Sequence, residues 1–365
     1  DVRVTEPECG FYIDRGTLAL RDSSISAGVV RLVDSYLLAD HVTLNNAQLV
    51  SNRYNAGQTT LLNNFIATGM AADAPFLLGG FDHFFGPSNT ISGNLYPVHL
   101  DGGGIAPGST VPLTGNSSNM IHGGKGTFDG RCTFPNLGLP YRIDYPGDNF
   151  TEMGGWLTVE PGVTVKFDWG AYLWATYNAQ IIARGTQELP ITFTRLNPGM
   201  PWQTVDFSVN FHRPHVEHCI FEGGDRALVA DESVVRATDC EFRNNNIGLK
   251  AVNYLFADVR KSRFLGNTVG LQVASNAGVN ADGGAMPNLF QGNALAMENQ
   301  SLTSMESATG NYWGSPTGPT IASNPGGTGD PLGQYITYQP FRTTPPDFTD
   351  TAPAVRLLPT SFLNE

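Results

Sequence analysis

Apolar and polar positions repeat four times between Val216 and Met297. Each repeat has a phenylalanine followed two and three residues later by Gly or Asn, and then a short alternation of apolar and polar residues. The phenylalanines are 21, 22 and 26 residues apart (242−221, 264−242, 290−264), in the segments Phe221-Glu-Gly-Gly, Phe242-Arg-Asn-Asn, Phe264-Leu-Gly-Asn and Phe290-Gln-Gly-Asn. A period of roughly 20–25 residues with strand-like alternation is typical of a solenoid. The pattern predicts one coil of a parallel β-helix per repeat.

Stacked coils place equivalent residues above one another at the strand spacing of about 4.8 Å. We therefore expect the phenylalanines to form a column inside the solenoid. The positions two residues before them should form a second column, which would set Cys219 beside Cys240. Gly and Asn after each Phe suit a bend, because both accept positive φ and Asn can hydrogen-bond to the neighbouring coil.

The rest of the chain has the same character at different degrees of regularity. Short period-two strands fill 156–342, degenerate coils are predicted for 1–88, a loop-rich lead-in module for 89–155, and a Pro/Thr-rich tail or linker for 343–365. The fold class predicted is all-β, a right-handed parallel β-helix of about 12–14 coils.

Charge and hydropathy restrict the partners. Lys and Arg number 21 against 33 Asp and Glu, a net charge of −12, which disfavours nucleic acid and anionic membranes. No apolar run reaches about 18 residues, so no transmembrane helix and no direct membrane insertion are predicted.

Four cysteines in 365 residues do not make a disulfide framework, and their spacing does not suggest zinc. We expect Cys219 and Cys240 to be stacked core thiols rather than a bridge. The states of Cys9 and Cys132 are left open.

The chain from about Tyr96 to Phe341 resembles the right-handed parallel β-helix repeat proteins of bacterial surfaces, both envelope and secreted. The resemblance rests on three groups of segments: Trp156-Leu-Thr-Val-Glu-Pro-Gly-Val-Thr-Val-Lys-Phe167 with Pro190-Ile-Thr-Phe-Thr194, the Phe coils, and Gly310-Asn-Tyr-Trp-Gly-Ser-Pro-Thr-Gly-Pro319. It implies the fold and an extracellular or cell-surface location. It implies no catalytic residue, because such modules occur in adhesin-like proteins and beside carbohydrate-active enzymes alike.

One cluster holds the residue types of a polysaccharide lyase or hydrolase, which needs a basic group for proton abstraction or paired carboxylates. The candidates are Asp206, His212, Arg213, His215 and Glu217. The alternative is an ordinary strand with one solvated face.

A second candidate is a glycan-binding surface of outward aromatic rings, at Trp169, Tyr172, Trp174 and Tyr177. The alternative is that loops from 89–149 cover these rings. Asp144, Asp148 and Glu152 could supply oxygen ligands to Ca²⁺, or form an ordinary acidic loop.

These observations favour an exported, non-enzymatic structural or adhesive protein of the cell surface, one segment of a larger protein that can self-associate. Its expected partners are glycans, neighbouring surface proteins or further copies of itself. No cofactor is expected, with Ca²⁺ left open. The alternative is a carbohydrate-active protein, either a polysaccharide lyase or hydrolase or a glycan-binding module.

Overall fold

The computed structural model describes residues 3–4, 10–52, 60–86, 88–123, 130–144, 148–150, 155–209, 212–301 and 304–349. Every regular element in these ranges is a β-strand, and the strands stack in parallel as a solenoid of about 12 turns. The predicted fold class is thereby confirmed as a parallel β-solenoid. Among the described residues, none forms a helix long and apolar enough to cross a membrane.

One sheet runs almost the whole length of the solenoid, and we call it the long sheet. It takes one strand from each successive coil, so it joins the predicted degenerate coils, the lead-in region and the regular coils in a single ladder. Its described strands are Phe11–Asp14, Val29–Val33, Gln48–Asn52, Phe76–Gly79, His99–Asp101, Ile121–His122, Tyr141–Ile143, Thr164–Phe167, Ile191–Arg195, Cys219–Glu222, Glu241–Arg243, Arg263–Leu265 and Leu289–Gln291.

Three further sheets close the coils. The N-terminal sheet contains Arg3–Val4, Thr17–Ser26, Tyr36–Asn45, Thr60–Asn63, Ile66–Thr68, Asp82–Phe85, Thr90–Ile91 and Gly104–Ile105. The histidine sheet, named for His215, contains Arg131–Phe134, Trp156–Val159, Gln180–Arg184, His215–Glu217, Val235–Thr238, Phe256–Arg260, Gly278–Asn280, Glu306–Ser307 and Ile336–Thr337. The tryptophan sheet, named for Trp174, contains Asp148–Phe150, Tyr172–Thr176, Thr204–Ser208, Arg226–Asp231, Ile247–Val252, Val269–Val273 and Leu295–Asn299.

The column of phenylalanines is present, and it is longer than the sequence pattern predicts. Consecutive rings stack nearly parallel with centroids 4.7–5.1 Å apart, and all are buried, in the order Phe193, Phe221, Phe242, Phe264, Phe290 and Trp313. Trp313 ends the column near the C-terminal coils. The spacing of the rings follows from the strand spacing, because each phenylalanine occupies the same place in its coil.

Asparagine side chains form a buried ladder at the bend after the phenylalanines. Oδ1 of Asn267 accepts hydrogen bonds from the backbone N–H and the side-chain amide of Asn245, both at 3.0 Å, and Asn293 accepts from Asn267 in the same way. The side chain of Asp330 accepts from Asn293 at the end of the ladder. The expected positive φ occurs one residue earlier in the same bend, for instance at Asn244 (55°) and Gly266 (62°).

The cysteines behave as predicted where the structure describes them. Cys219 and Cys240 occupy equivalent positions in adjacent coils, and both are buried free thiols. Cys132 is buried as well. Burial raises the pKa of the Cys219 thiol well above its ordinary value. Cys9 lies outside the described residues.

The described part of the tail folds back along the solenoid. The ring of Phe348 lies 5.1 Å from the guanidinium of Arg263, on the long sheet. The described part of the tail therefore contacts the side of the regular coils.

We predict that Asn267→Ala lowers the free energy of unfolding by about 2–4 kcal/mol, because it leaves buried donors of Asn245 without an acceptor. Urea denaturation followed by tryptophan fluorescence measures this. The matched control is Asn276→Ala, which removes an exposed asparagine that bonds Asn253 at 3.3 Å and should cost less than about 0.5 kcal/mol. Equal losses in the two variants would contradict a stabilising role for the buried ladder.

Candidate functional site

The structure divides the predicted catalytic cluster between two faces. Asp206 lies on the tryptophan sheet, in the strand Thr204–Ser208, whereas His215 and Glu217 lie on the histidine sheet. His212 and Arg213 are exposed in the turn that precedes His215. The five residues therefore do not form one site, although His212, Arg213 and His215 do lie together.

Those three residues line a shallow cavity of about 180 Å³ on the histidine sheet, with Gln180, Ile182 and Arg184. The Trp156 ring borders this region, with its centroid 6.4 Å from that of His212. Arg131 lies over the same Trp156 ring, with its guanidinium carbon 4.6 Å from the ring centroid. The surface combines cationic groups with an aromatic ring.

Three other charged residues on the histidine sheet are paired with one another. Asp258 is buried and accepts hydrogen bonds from Arg236 at 2.9 Å and Arg260 at 2.8 Å. Nε2 of His215 and the Thr238 hydroxyl are 3.2 Å apart. Burial is the main cause that lowers the pKa of His215, so this imidazole favours its neutral form.

The four predicted aromatic residues lie on and beside one strand of the tryptophan sheet. Trp169 is 60% exposed, Tyr177 40% and Trp174 38%, while Tyr172 is half-buried. Trp169 and Tyr177 flank the strand Tyr172–Thr176 in the turns before and after it. The aromatic patch formed by these four residues is open, so the described parts of the loops of 89–149 do not cover it.

Asp206 joins the aromatic patch, since it lies directly opposite Trp174 on the adjacent strand. Burial raises its pKa to about 6, even though the Ser208 hydroxyl donates a 2.8 Å hydrogen bond to it. The negative charge of Asp231 adds to this rise. A carboxyl group that titrates near neutral pH therefore adjoins an exposed indole ring.

The calcium candidates do not meet within the described residues. The carboxylate of Asp144 already has two partners, since His122 Nε2 and Arg142 Nε both hydrogen-bond to it. The backbone of Asp148 is in a strand, and Glu152 lies outside the described residues. The calcium site stays a prediction.

A cluster that the sequence analysis missed lies on the outer face of the long sheet. Asp73, His99 and His122 each offer a ligand-type atom, and these atoms lie within 4.8 Å of one another. His99 and His122 are register partners on adjacent strands, with ring centroids 4.2 Å apart. The two histidines are 23 residues apart (122−99), one coil period, and that spacing is the signal that could have identified them.

The cluster is polar and partly buried. Burial opposes ionisation of Asp73 and Asp144, but hydrogen bonds outweigh it and hold the pKa of each below its ordinary value. The hydrogen bond that lowers the pKa of Asp73 most comes from His99, and the one that lowers the pKa of Asp144 most comes from His122. Arg142 adds to the effect at Asp144 and also donates to the Tyr96 hydroxyl at 3.0 Å.

Comparison of the chain with protein-family models, curated proteins and solved structures found no match.

We predict that stability falls as pH rises through about 6, because the folded-state pKa of Asp206 lies above its unfolded value near 3.8. Protonated Asp206 contributes fully below pH about 4, and the contribution is lost above the folded pKa. Asp206→Asn should thus stabilise the protein by about 1–3 kcal/mol at pH 8 and leave it unchanged at pH 4. Urea titrations at the two pH values measure this.

The control is Glu232→Gln, an exposed carboxylate at the end of the neighbouring strand, which should shift stability equally at both pH values. A pH-independent effect of Asp206→Asn would show that ionisation of Asp206 carries no cost to the fold.

Proposed function

We propose that this protein is an exported, non-enzymatic cell-surface rod that adheres to glycans through the aromatic patch. The observation that carries the proposal is the patch itself: the exposed ring of Trp174 on the tryptophan sheet, with those of Trp169 and Tyr177 in the turns beside its strand. Aromatic faces stack on the apolar faces of sugar rings. Exposed aromatic groups of this extent usually mark a partner surface.

Asp206 suits the same surface. Its carboxyl lies across the strand pair from Trp174 and is hydrogen-bonded to Ser208. A carboxyl group beside a stacking ring can bond sugar hydroxyls in either protonation state, as acceptor or as donor. The patch thus combines an apolar platform with a directional polar group, which is the composition of small-ligand sites in general.

The length of the solenoid supports a structural role. A ladder of about 12 turns, each hydrogen-bonded to the next, spans roughly 55–60 Å at the ordinary strand spacing. Such a rod holds a binding face away from whatever anchors it. Self-association at its ends would extend it, because the terminal strands of a solenoid are open to pairing.

A second candidate is a polysaccharide lyase or hydrolase that uses the histidine sheet. The observation in its favour is the cavity where His212, Arg213 and His215 lie beside Arg184. Cationic groups bind uronate carboxylates, and an imidazole held neutral can accept a proton. The paired charges at Asp258 and the separation of Asp206 from this cavity favour the adhesive role over it.

We predict that the purified chain is retained on a glycan array and that Trp174→Ala weakens retention at least about tenfold, equivalent to roughly 1.4 kcal/mol of lost stacking. The control is Tyr12→Ala, which removes a tyrosine that is 65% exposed on the long sheet and should leave retention unchanged. Retention equal in wild type and Trp174→Ala would refute the aromatic patch as the adhesive surface.

The same samples distinguish the adhesive role from the second candidate, a polysaccharide lyase or hydrolase. Depolymerisation of any glycan by wild type, lost in His212→Ala and His215→Ala, would replace the adhesive proposal with the second candidate. If the protein binds no glycan but forms rods or filaments in electron micrographs, the structural role stands and the glycan partner is refuted.

A further inference from the structure

We propose that Asp73, His99 and His122 form a binding site for one divalent transition-metal ion of the Zn²⁺ type, a site independent of the aromatic patch. The three residues come from three consecutive coils. Asp73 precedes the strand Phe76–Gly79, His99 begins the next strand of the long sheet, and His122 lies in the strand after that. The coil repeat therefore brings together ligands that are far apart in the chain.

The separation of the ligand atoms suits a small tetrahedral ion. Nδ1 of His99 lies 3.2 Å from Oδ1 of Asp73. Two ligands bound at about 2.0–2.1 Å with tetrahedral angles are about 3.3 Å apart, so this pair already has the required distance. The third ligand atom, on His122, lies within 4.8 Å of both.

The protonation of His122 leaves a nitrogen free for the ion. Its Nε2 donates a hydrogen bond to the carboxylate of Asp144, while its Nδ1 is buried and has no hydrogen-bond partner. A buried acceptor without a donor costs stability unless something binds it. A carboxylate on the far nitrogen of a ligating imidazole is the usual arrangement at zinc sites, where it fixes the tautomer and raises the basicity of the ligand.

The supporting groups around His122 are themselves held. Arg142 donates to Asp144 at 2.7 Å and to the Tyr96 hydroxyl at 3.0 Å. The Tyr96 ring stacks on the imidazole of His122, with centroids 4.6 Å apart. These contacts orient His122 before any ion arrives, which lowers the entropic cost of binding.

The donor set identifies the class of ion. Two imidazole nitrogens and one carboxylate oxygen suit Zn²⁺ and its transition-metal neighbours, whereas Ca²⁺ requires six to eight oxygen ligands. Nδ1 of His99 ligates the ion in the tautomer that carries its proton on Nε2, so binding replaces the hydrogen bond between Nδ1 and Asp73. Three protein ligands leave one tetrahedral position for water, so the ion would pin three coils and keep one exchangeable ligand.

The test is zinc titration of the full chain after dialysis against a chelator. We expect one Zn²⁺ per chain by elemental analysis, a calorimetric Kd of micromolar or tighter, and a higher melting temperature with zinc. His99→Ala and His122→Ala should each weaken binding at least 100-fold, and Asp144→Asn should weaken it about 10- to 100-fold by removing the partner of Nε2. Millimolar Ca²⁺ should not compete.

The matched control is the double variant His212→Ala/His215→Ala. It removes two histidines that lie close to each other beside the histidine sheet, away from the proposed site, and should bind zinc as wild type does. Absence of stoichiometric zinc, or its loss only in that double variant, would overturn the assignment. If the ligand variants do not fold, zinc-edge X-ray absorption of the wild type still decides it. Two imidazole nitrogens with oxygen ligands would support the site, and any other imidazole count would refute it.

Discussion

The structure depends on in-register stacking of one coil upon the next. A coil of this chain has no helix and little interior of its own, so its backbone hydrogen bonds and its apolar side chains are satisfied by its neighbours. The register is held by side chains as well as by backbone. Asn267 bonds both the N–H and the amide of Asn245, and a shift of one residue would break those bonds and turn every apolar side chain outward.

The same constraint decides where chemistry can occur. On a stacked sheet, side chains that converge come from equivalent positions on neighbouring coils, about 4.8 Å apart, and not from neighbouring positions in the sequence. His99 and His122 meet because they are one period apart. Asp206 and His215 are only nine residues apart (215−206), yet the intervening turn places them on different sheets. Closeness in sequence was therefore a poor guide to a site in this fold.

The sequence predicted the fold where the coil pattern is strong. The Phe column, the Asn bend and the adjacent thiols of Cys219 and Cys240 follow from one period and the rule that like residues stack. The ends of the column, at Phe193 and Trp313, were missed because their coils lack the Gly/Asn signature. The alternation of inward and outward residues along a strand also predicted that the Trp174 side chain points outward.

The cluster of Asp73, His99 and His122 was not predicted, and the reason is physical. Between His99 and Asp144 the described strands are two to four residues long, and loops of unequal length separate them, so no repeated motif marks the register. The coils there are also joined by few register pairs in the long sheet. The strands His99–Asp101 and Ile121–His122 share a single register pair, whereas Tyr172–Thr176 and Thr204–Ser208 share five.

Where the backbone ladder is thin, side chains carry more of the connection between coils. The regular coils use stacked rings and amides inside the solenoid. The coils around His122 use the packed imidazoles of His99 and His122, the stacked ring of Tyr96 and the ion pair of Asp144 with Arg142 on the outside. Outside contacts remain accessible to solvent, so they can exchange a proton or accept an ion, which the buried columns cannot. An ion bound at His99 and His122 would thus join coils at a place where the long sheet supplies a single register pair between them.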